Sequence, residues 1–387
     1  MSDAVTFDFH TLIDRRQHPS VKWQRYPDDV LPLWVADMDF ASPPAVIEAL
    51  KARLAHGVFG YGNRWSELEH TLVEWSGMHY GWAIEPEWQC WLPGAVPALH
   101  IAALAFAEAG EGVLTPRPIY PPFLATPGHL GRQLQTFELA EPGGSDGQWR
   151  LDLERLEAAI EPNTRVLLWC HPHNPTGRVW RADELCGLAE LVQKHDLVVV
   201  SDELHCDLVL DPQRPHQPLG ALCPQLAERL ITLWAPSKTF NVAGLSTACA
   251  VIEDRTLRQR FLAKVEGLLP HVNVLGIAAA QAAYAHGEPW RQALLQVLRD
   301  NLALLEQHVA HWPGVHLVSP QATYLAWLDF RQSALAGDPY RRLLKQARVA
   351  LSPGPDYGRE GFARLNFGTP TAALAEALQR MDGVLGE

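Results

Sequence analysis

No run of apolar residues in this chain is long enough to cross a bilayer. The longest, roughly Ala95 to Ala109, is broken by His100 and Glu108, and a spanning helix needs about 20 consecutive apolar residues. Positive charge is scarce as well. Lys and Arg number 32 against 44 Asp and Glu, a formal net charge of −12. A nucleic-acid partner calls for a basic surface, so none is expected, and no membrane partner either. A small anionic ligand stays open, because it needs only a local positive pocket. The six cysteines (Cys90, Cys170, Cys186, Cys206, Cys223 and Cys249) contain no CxxC pair. That usage predicts reduced thiols in a cytoplasmic protein rather than a disulfide framework. The opening MSDAVTFDFH lacks the basic-then-apolar pattern of a secretion signal, which agrees with a cytoplasmic location. Internal repeats and low-complexity tracts are absent too.

What is present reads as a globular chain of 387 residues, 47% apolar and 20% charged, long enough that two domains are expected. The 14 tryptophans are read as packing residues. Residues 1–45 are irregular, with a short strand expected over Leu31–Val35. Pro43–His56 reads as a helix opened by proline. A second helix is expected after Pro93-Gly94, then a strand Gly112–Thr115 and a proline-rich loop, RPIYPPF. From there the chain alternates. Strands are expected over Arg165–Cys170, Leu197–Ser201, up to Trp234 and over Ala248–Ile252, with a helix at Arg181–His195. Continuous apolar runs separated by helices predict an α/β fold, its mostly parallel sheet covered on both faces. A long helix around Trp290–Trp312, then strands in Ala322–Phe330 and Ala363–Phe367, suggest a smaller α+β domain. The expected division is 46–284 for the large domain, with 1–45 and 285–387 forming the small one.

Sheets of this kind place ligands at the carboxyl ends of their strands. Polar stations fall there: His173-Asn174-Pro175-Thr176-Gly177, Ser201-Asp202-Glu203-Leu204-His205 and Ser237-Lys238-Thr239-Phe240-Asn241. A fourth, Arg364-Leu365-Asn366-Phe367-Gly368, lies near the C-terminus. Together they supply what pyridoxal 5′-phosphate (PLP) requires. Lys238 would form the Schiff base, a role that burial assists by lowering an amine's pKa. Asp202 would keep the pyridine nitrogen protonated, making the ring an electron sink. Asn174 and His205 would donate to the phenolate oxygen. Gly94-Ala95-Val96, where a loop enters a helix, would cradle the phosphate, and Tyr120 would stack on the ring. Lys238, Asp202 and Tyr120 are the expected catalytic set. The histidines 171, 173 and 205 with Cys206 make no familiar zinc spacing, and no metal is expected.

The segments PLWVADMDF, GYG (60–62), RPIYPPF, HPHNPTGRVW, SDELHCDLVL, APSKTFNVAGL and RLNFGTP resemble, in order and spacing, the class I/II aminotransferase superfamily. Within it they are similar to the MalY/PatB-type cystathionine β-lyases, and the likeness covers nearly the whole chain. It implies a fold-type I PLP enzyme, a homodimer with active sites at the subunit interface. It further implies that Tyr61 reaches the partner's cofactor phosphate and that Ser237 binds the phosphate of its own subunit. Arg364 would pair with the substrate carboxylate, with Ala36 and Asp37 beside the substrate. His205 stands where many aminotransferases place tyrosine, and Ser246 where many place a phosphate-binding arginine; both departures are similar to the lyases. The activity implied is β-elimination on cystathionine or S-substituted cysteines, giving a thiol, pyruvate and ammonia. An aminotransferase with the same site is the alternative, and so is a lyase that also regulates a transcription factor.

Overall fold

The computed structural model describes residues 7–143 and 147–386. Its apolar runs become seven strands of one sheet: β1 (Gln89–Leu92), β2 (Gly112–Arg117), β3 (Gln133–Glu138), β4 (Thr164–Cys170), β5 (Val198–Asp202), β6 (Leu230–Trp234) and β7 (Ala248–Val251). Their order across the sheet is β1-β7-β6-β5-β4-β2-β3. Only β7 runs against its neighbours; the pairs from β6 to β3 are parallel.

Side chains alternate between the two faces, and both faces are covered. Val166, Leu168, Val200 and Ile231 pack with Ala98, Leu99 and Ala102 of the helix Ala95–Phe106. On the other face Leu167, Trp169 and Val199 pack with Leu185, Leu188 and Val192 of the helix Ala182–Lys194. Two-sided burial explains why these strands read as continuous apolar runs rather than as alternating ones.

The four-stranded antiparallel sheet of His316–Leu317, Leu325–Asp329, Phe362–Asn366 and Ser352–Pro353 forms a second layer. Leu325, Leu328 and Leu365 share a core with Leu294, Leu298 and Leu305 of the 22-residue helix Glu288–Val309 and with Leu374 and Leu378 of Thr371–Leu385. The N-terminal segment joins this part: Leu31–Pro32 pairs in parallel with Val349–Ala350. Among the described residues no helix is long and apolar enough to cross a membrane.

Several expectations are corrected. The strand over Leu31–Val35 is only Leu31–Pro32: Leu33 still donates to the Ala350 carbonyl and accepts from the Asn366 N–H, and beyond it the Asn366 side chain holds the Val35 and Asp37 carbonyls. The proline-rich loop gives way at Pro121 to a helix, Pro121–His129, since proline in the first turn needs no N–H partner. The helix Ser66–Tyr80 and strand β1 carried no clear signal. β1 is four residues long and exists by pairing with β7, some 160 positions later in the chain (248 − 89 = 159). Residues 1–6 of the irregular N-terminal segment lie outside the described residues.

One contact between the two sheets passes through a polar station. Gly177 has φ +69°, its carbonyl accepts from the backbone N–H groups of Gln321 and Ala322, and a Cβ there would come within 2.3 Å of Pro320 Cβ. Gly177→Ala is therefore expected to destabilise the chain by roughly 2–4 kcal/mol, the left-handed backbone and the overpacking adding together. Denaturant unfolding with an unchanged slope would measure it; a loss under about 0.5 kcal/mol, the range of a neutral surface change, would contradict the close approach.

Candidate active site

The parallel register brings the polar stations to one edge. Cys170 at the end of β4 lies opposite Asp202 at the end of β5, and Asp202 lies opposite Leu233 near the end of β6. The loop after β4 carries Asn174, and the short helix Pro236–Thr239 after β6 carries Lys238. Arg364 enters from the second sheet, on the strand Phe362–Asn366.

Lys238 donates from Nζ to the carbonyl of Ala36 at 2.9 Å. Burial, reinforced by the Arg364 charge, pushes its pKa down to about 8, while Asp37 and Asp202 pull the other way. The residue is half-buried, and its amine is more easily neutral than that of a surface lysine. Asp202 is 8% exposed, and among the described residues its carboxylate accepts only the Leu204 N–H, at 3.2 Å. Burial pushes its carboxyl up to about 7. A buried carboxylate with no ion pair to a basic side chain is what a bound cation, such as a protonated pyridine nitrogen, would restore to its charged form.

Arg364 has the opposite character. It is 2% exposed and donates to neutral acceptors: Asn174 Oδ1 at 3.0 Å, the Trp34 carbonyl at 2.9 Å and Ser352 Oγ at 3.4 Å. Its Nε has no partner, and no carboxylate of the described residues pairs with it. Tyr357 lies under the guanidinium, 5.0 Å from ring centroid to Cζ. A buried cation without its anion is a carboxylate site.

The remaining candidates occupy the same cleft or its rim. His205 is buried beside Tyr324, and burial with the Lys238 and Arg364 charges nearby pushes its pKa down to about 3. The ring is thus neutral, and its Nδ1 has no partner among the described residues. Tyr120 precedes the helix Pro121–His129, and burial raises its hydroxyl pKa, with Arg364 and Asp202 close enough to act on it. Gly94 opens the 12-residue helix Ala95–Phe106 at φ +140°, a conformation that needs glycine, so the first-turn N–H groups of Ala95 and Val96 are left for an anion. Ser237 stands one residue before Lys238 and is partly exposed. Ala36 offers its carbonyl to Lys238, whereas the Asp37 carboxylate is tied to Arg15 at 2.7 Å. Tyr61 is not brought to the cleft of its own chain: it is 97% exposed, in the company of Val58, Phe59 and Trp65, which are exposed too.

Sequence reasoning missed Trp34 and Ser352, which hold Arg364, and Tyr324. It also missed Asn366 as a clamp on the carbonyls of Val35 and Asp37. Two of these act through or on backbone carbonyls, which leave no trace in a sequence; Asn366 lay in a recognised motif and its role was not drawn from it.

The pKa of Asp202 has a consequence for stability. In the cofactor-free chain the folded carboxyl keeps its proton up to about pH 7, while the unfolded one releases it near pH 4. Folded stability is therefore full below about pH 4 and falls as pH rises to 7. Asp202→Asn should make the cofactor-free chain more stable than the native one at pH 8, with the difference narrowing toward pH 4. Thermal unfolding across that range would measure it, and a variant less stable at pH 8 would refute the unpaired carboxylate.

The site agrees with what known proteins resemble this chain. The model of the aminotransferase class I and II family matches residues 28–381. Cystathionine beta-lyase PatB of Bacillus subtilis is 38% identical over 98% of this chain and 100% of its own. The crystal structure of OvoB superposes with a TM-score of 0.94 at 43% identity, covering 98% of this chain and 99% of that one. Cystalysin of Treponema denticola, whose structure contains a pyridoxal 5′-phosphate cofactor, does so at 0.93 and 32%, covering 98% and 99%. The chain belongs to the class I and II aminotransferase family.

Proposed function

We propose that this chain is a PLP-dependent carbon–sulfur β-lyase, converting L-cystathionine or an S-substituted cysteine and water into a thiol, pyruvate and ammonia. The observation that carries the reading is one buried unmatched cation, Arg364, and one buried unmatched carboxylate, Asp202, both close enough to act on a lysine whose pKa is near 8. The relatives at 38 and 36% identity, PatB and MalY of Escherichia coli, favour elimination over transamination, since the aspartate aminotransferase of Pyrococcus abyssi is 26% identical.

PLP, when bound, supplies an electron sink for the charge left at the substrate Cα. Lys238 would hold it, Asp202 would face its ring nitrogen, and Asn174 and His205 its phenolate oxygen. Ser237 and the N–H groups behind Gly94 would take the phosphate. Arg364 binds the substrate α-carboxylate with the donors left free by Asn174, Trp34 and Ser352. That contact fixes Cα within reach of Lys238. As the neutral amine, Lys238 takes the Cα proton, a role suited to a pKa near the working pH. The sulfur then leaves from Cβ with the bonding pair, and water completes the release of pyruvate and ammonia. Tyr120 would cover the ring face and limit water there.

The same proposal includes a cytoplasmic homodimer, divided within each subunit into a large domain of 46–284 and a small one of 1–45 with 285–387. Support for the dimer comes from Tyr61, whose near-complete exposure is unusual for a tyrosine flanked by exposed Val58 and Phe59. In the dimer it would reach the partner's phosphate.

Three measurements test these statements. Purified protein with PLP and L-cystathionine, without any keto acid, should release thiol and pyruvate in equal amounts over many turnovers. Turnover that stops until a keto acid is added would make the chain an aminotransferase. Lys238→Ala should lose both turnover and the absorbance of the lysine-bound cofactor. Mixing it with Tyr61→Ala, itself weakly active, should restore about a quarter of native activity, because half the dimers carry one complete site; no restoration would refute the shared site.

A further inference from the structure

Between the strand Leu31–Pro32 and the helix Pro44–His56 the chain crosses the cleft without regular structure. This strap delivers two backbone carbonyls to the site: Ala36 to Lys238 Nζ at 2.9 Å and Trp34 to Arg364 Nη2 at 2.9 Å. Backbone bonds hold the strap at Leu33, to Ala350 and Asn366, and at Asp39, to Gly368; between them it is fixed mainly by side chains, and one group of these lies outside the cleft. Asp39 accepts from Lys22 Nζ at 2.6 Å, Trp23 Nε1 at 2.8 Å and Arg15 Nη1 at 3.3 Å. Lys22 also donates to the Asp37 carbonyl at 2.8 Å, and its own carbonyl accepts from Trp34 Nε1 at 3.1 Å.

The Lys22 and Asp39 side chains are 0 and 1% exposed, an ion pair wholly withdrawn from water. Such pairs add little net stability, because desolvating both charges offsets their attraction; an apolar pair of the same volume often serves as well. What a charged pair supplies that an apolar one does not is direction. Lys22 comes from a four-residue helix, Val21–Gln24, capped by Ser20, and the hydrogen-bond partners of Lys238 and Arg364 among the described residues lie outside it. It spans the strap from Trp34 to Asp39, the interval that holds both site carbonyls.

We propose that the buried Lys22–Asp39 pair, with Arg15 and Trp23, is a positioning device of the active site, fixing the strap so that the Trp34 and Ala36 carbonyls orient Arg364 and Lys238. These are positioning residues: they touch no reacting atom. The inference rests on Arg364 being the carboxylate anchor and Lys238 the reactive amine, as proposed above.

With the strap released, Arg364 loses the acceptor that helps aim it, and a substrate-like carboxylate binds less tightly. Lys238 loses an acceptor that favours its charged form, so its amine becomes neutral at lower pH. Arg364, Asp37 and Asp202, the charged groups acting on Lys238, and His205, on which Lys238 acts, are unchanged in the variants used below.

The probe is 3-(methylthio)propionate, which carries the carboxylate and thioether of an S-substituted cysteine but no amine to react. In the PLP-loaded protein, Lys22→Met, close in length and uncharged, is expected to weaken its binding about tenfold, a coupling of ordinary size for contacting groups. In protein stripped of PLP, the midpoint of the rate of cofactor capture against pH is expected to move down by about half a unit. Trp23→Phe, which removes one donor to Asp39 and leaves the Arg15–Asp37 pair in place, should move both readouts the same way by less, and it serves if Lys22→Met does not fold. Unchanged affinity together with an unchanged midpoint, even with a lower melting temperature, would reduce the pair to a structural role and overturn the proposal. A native protein that does not bind the probe, or an Arg364→Lys variant that binds it as well as the native one, would instead overturn the anchor assignment and this inference with it.

Discussion

A guanidinium buried without a carboxylate is the constraint around which this molecule is arranged. Water would solvate Arg364 at far lower cost, so its burial has to be offset by acceptors brought from elsewhere. They come from three stretches: the Trp34 carbonyl from the N-terminal strap, Asn174 from the loop after β4, and Ser352 from the strand paired with Arg364's own. All three are neutral, so the charge is held in place but not cancelled. Its field adds to burial in lowering the pKa of Lys238, and after burial and the Lys238 charge it also lowers that of His205. The group that waits for an anion therefore also prepares the amine that acts on it.

The large sheet makes this arrangement possible by its direction. Parallel strands end on one edge, and two-sided burial keeps β4, β5 and β6 rigid up to their last residues. Asp202 can be left unpaired there because the sheet around it does not depend on its charge. A second carboxylate network lies next to it. Glu203, the neighbouring residue, accepts from Ser201, His216 and the Leu219 N–H, with the His171 ring tilted against His216, centroids 4.3 Å apart. The paired carboxylate belongs to the scaffold, and the unpaired one faces the cleft.

The sequence by itself determined a good deal of this. Runs such as RVLLWC and LVVVS are apolar throughout because both faces are covered, so strand positions and the parallel sheet could be read directly. Polar stations stood out by contrast at the strand ends, which located Asn174, Asp202 and Lys238 before any coordinates. Elements whose stability comes from a distant partner were not legible. β1 is four residues completed by β7, and the strap after Pro32 has no periodicity of its own. Tertiary structure alone decided that the Ala36 and Trp34 carbonyls serve Lys238 and Arg364 and that Asp37 turns to Arg15. It alone decided, too, that Lys22 is buried against Asp39. A backbone carbonyl has the same chemistry in every residue, and a lysine reads as a surface residue until packing removes it from water. Which of them face a reactive group is fixed only when segments hundreds of residues apart meet.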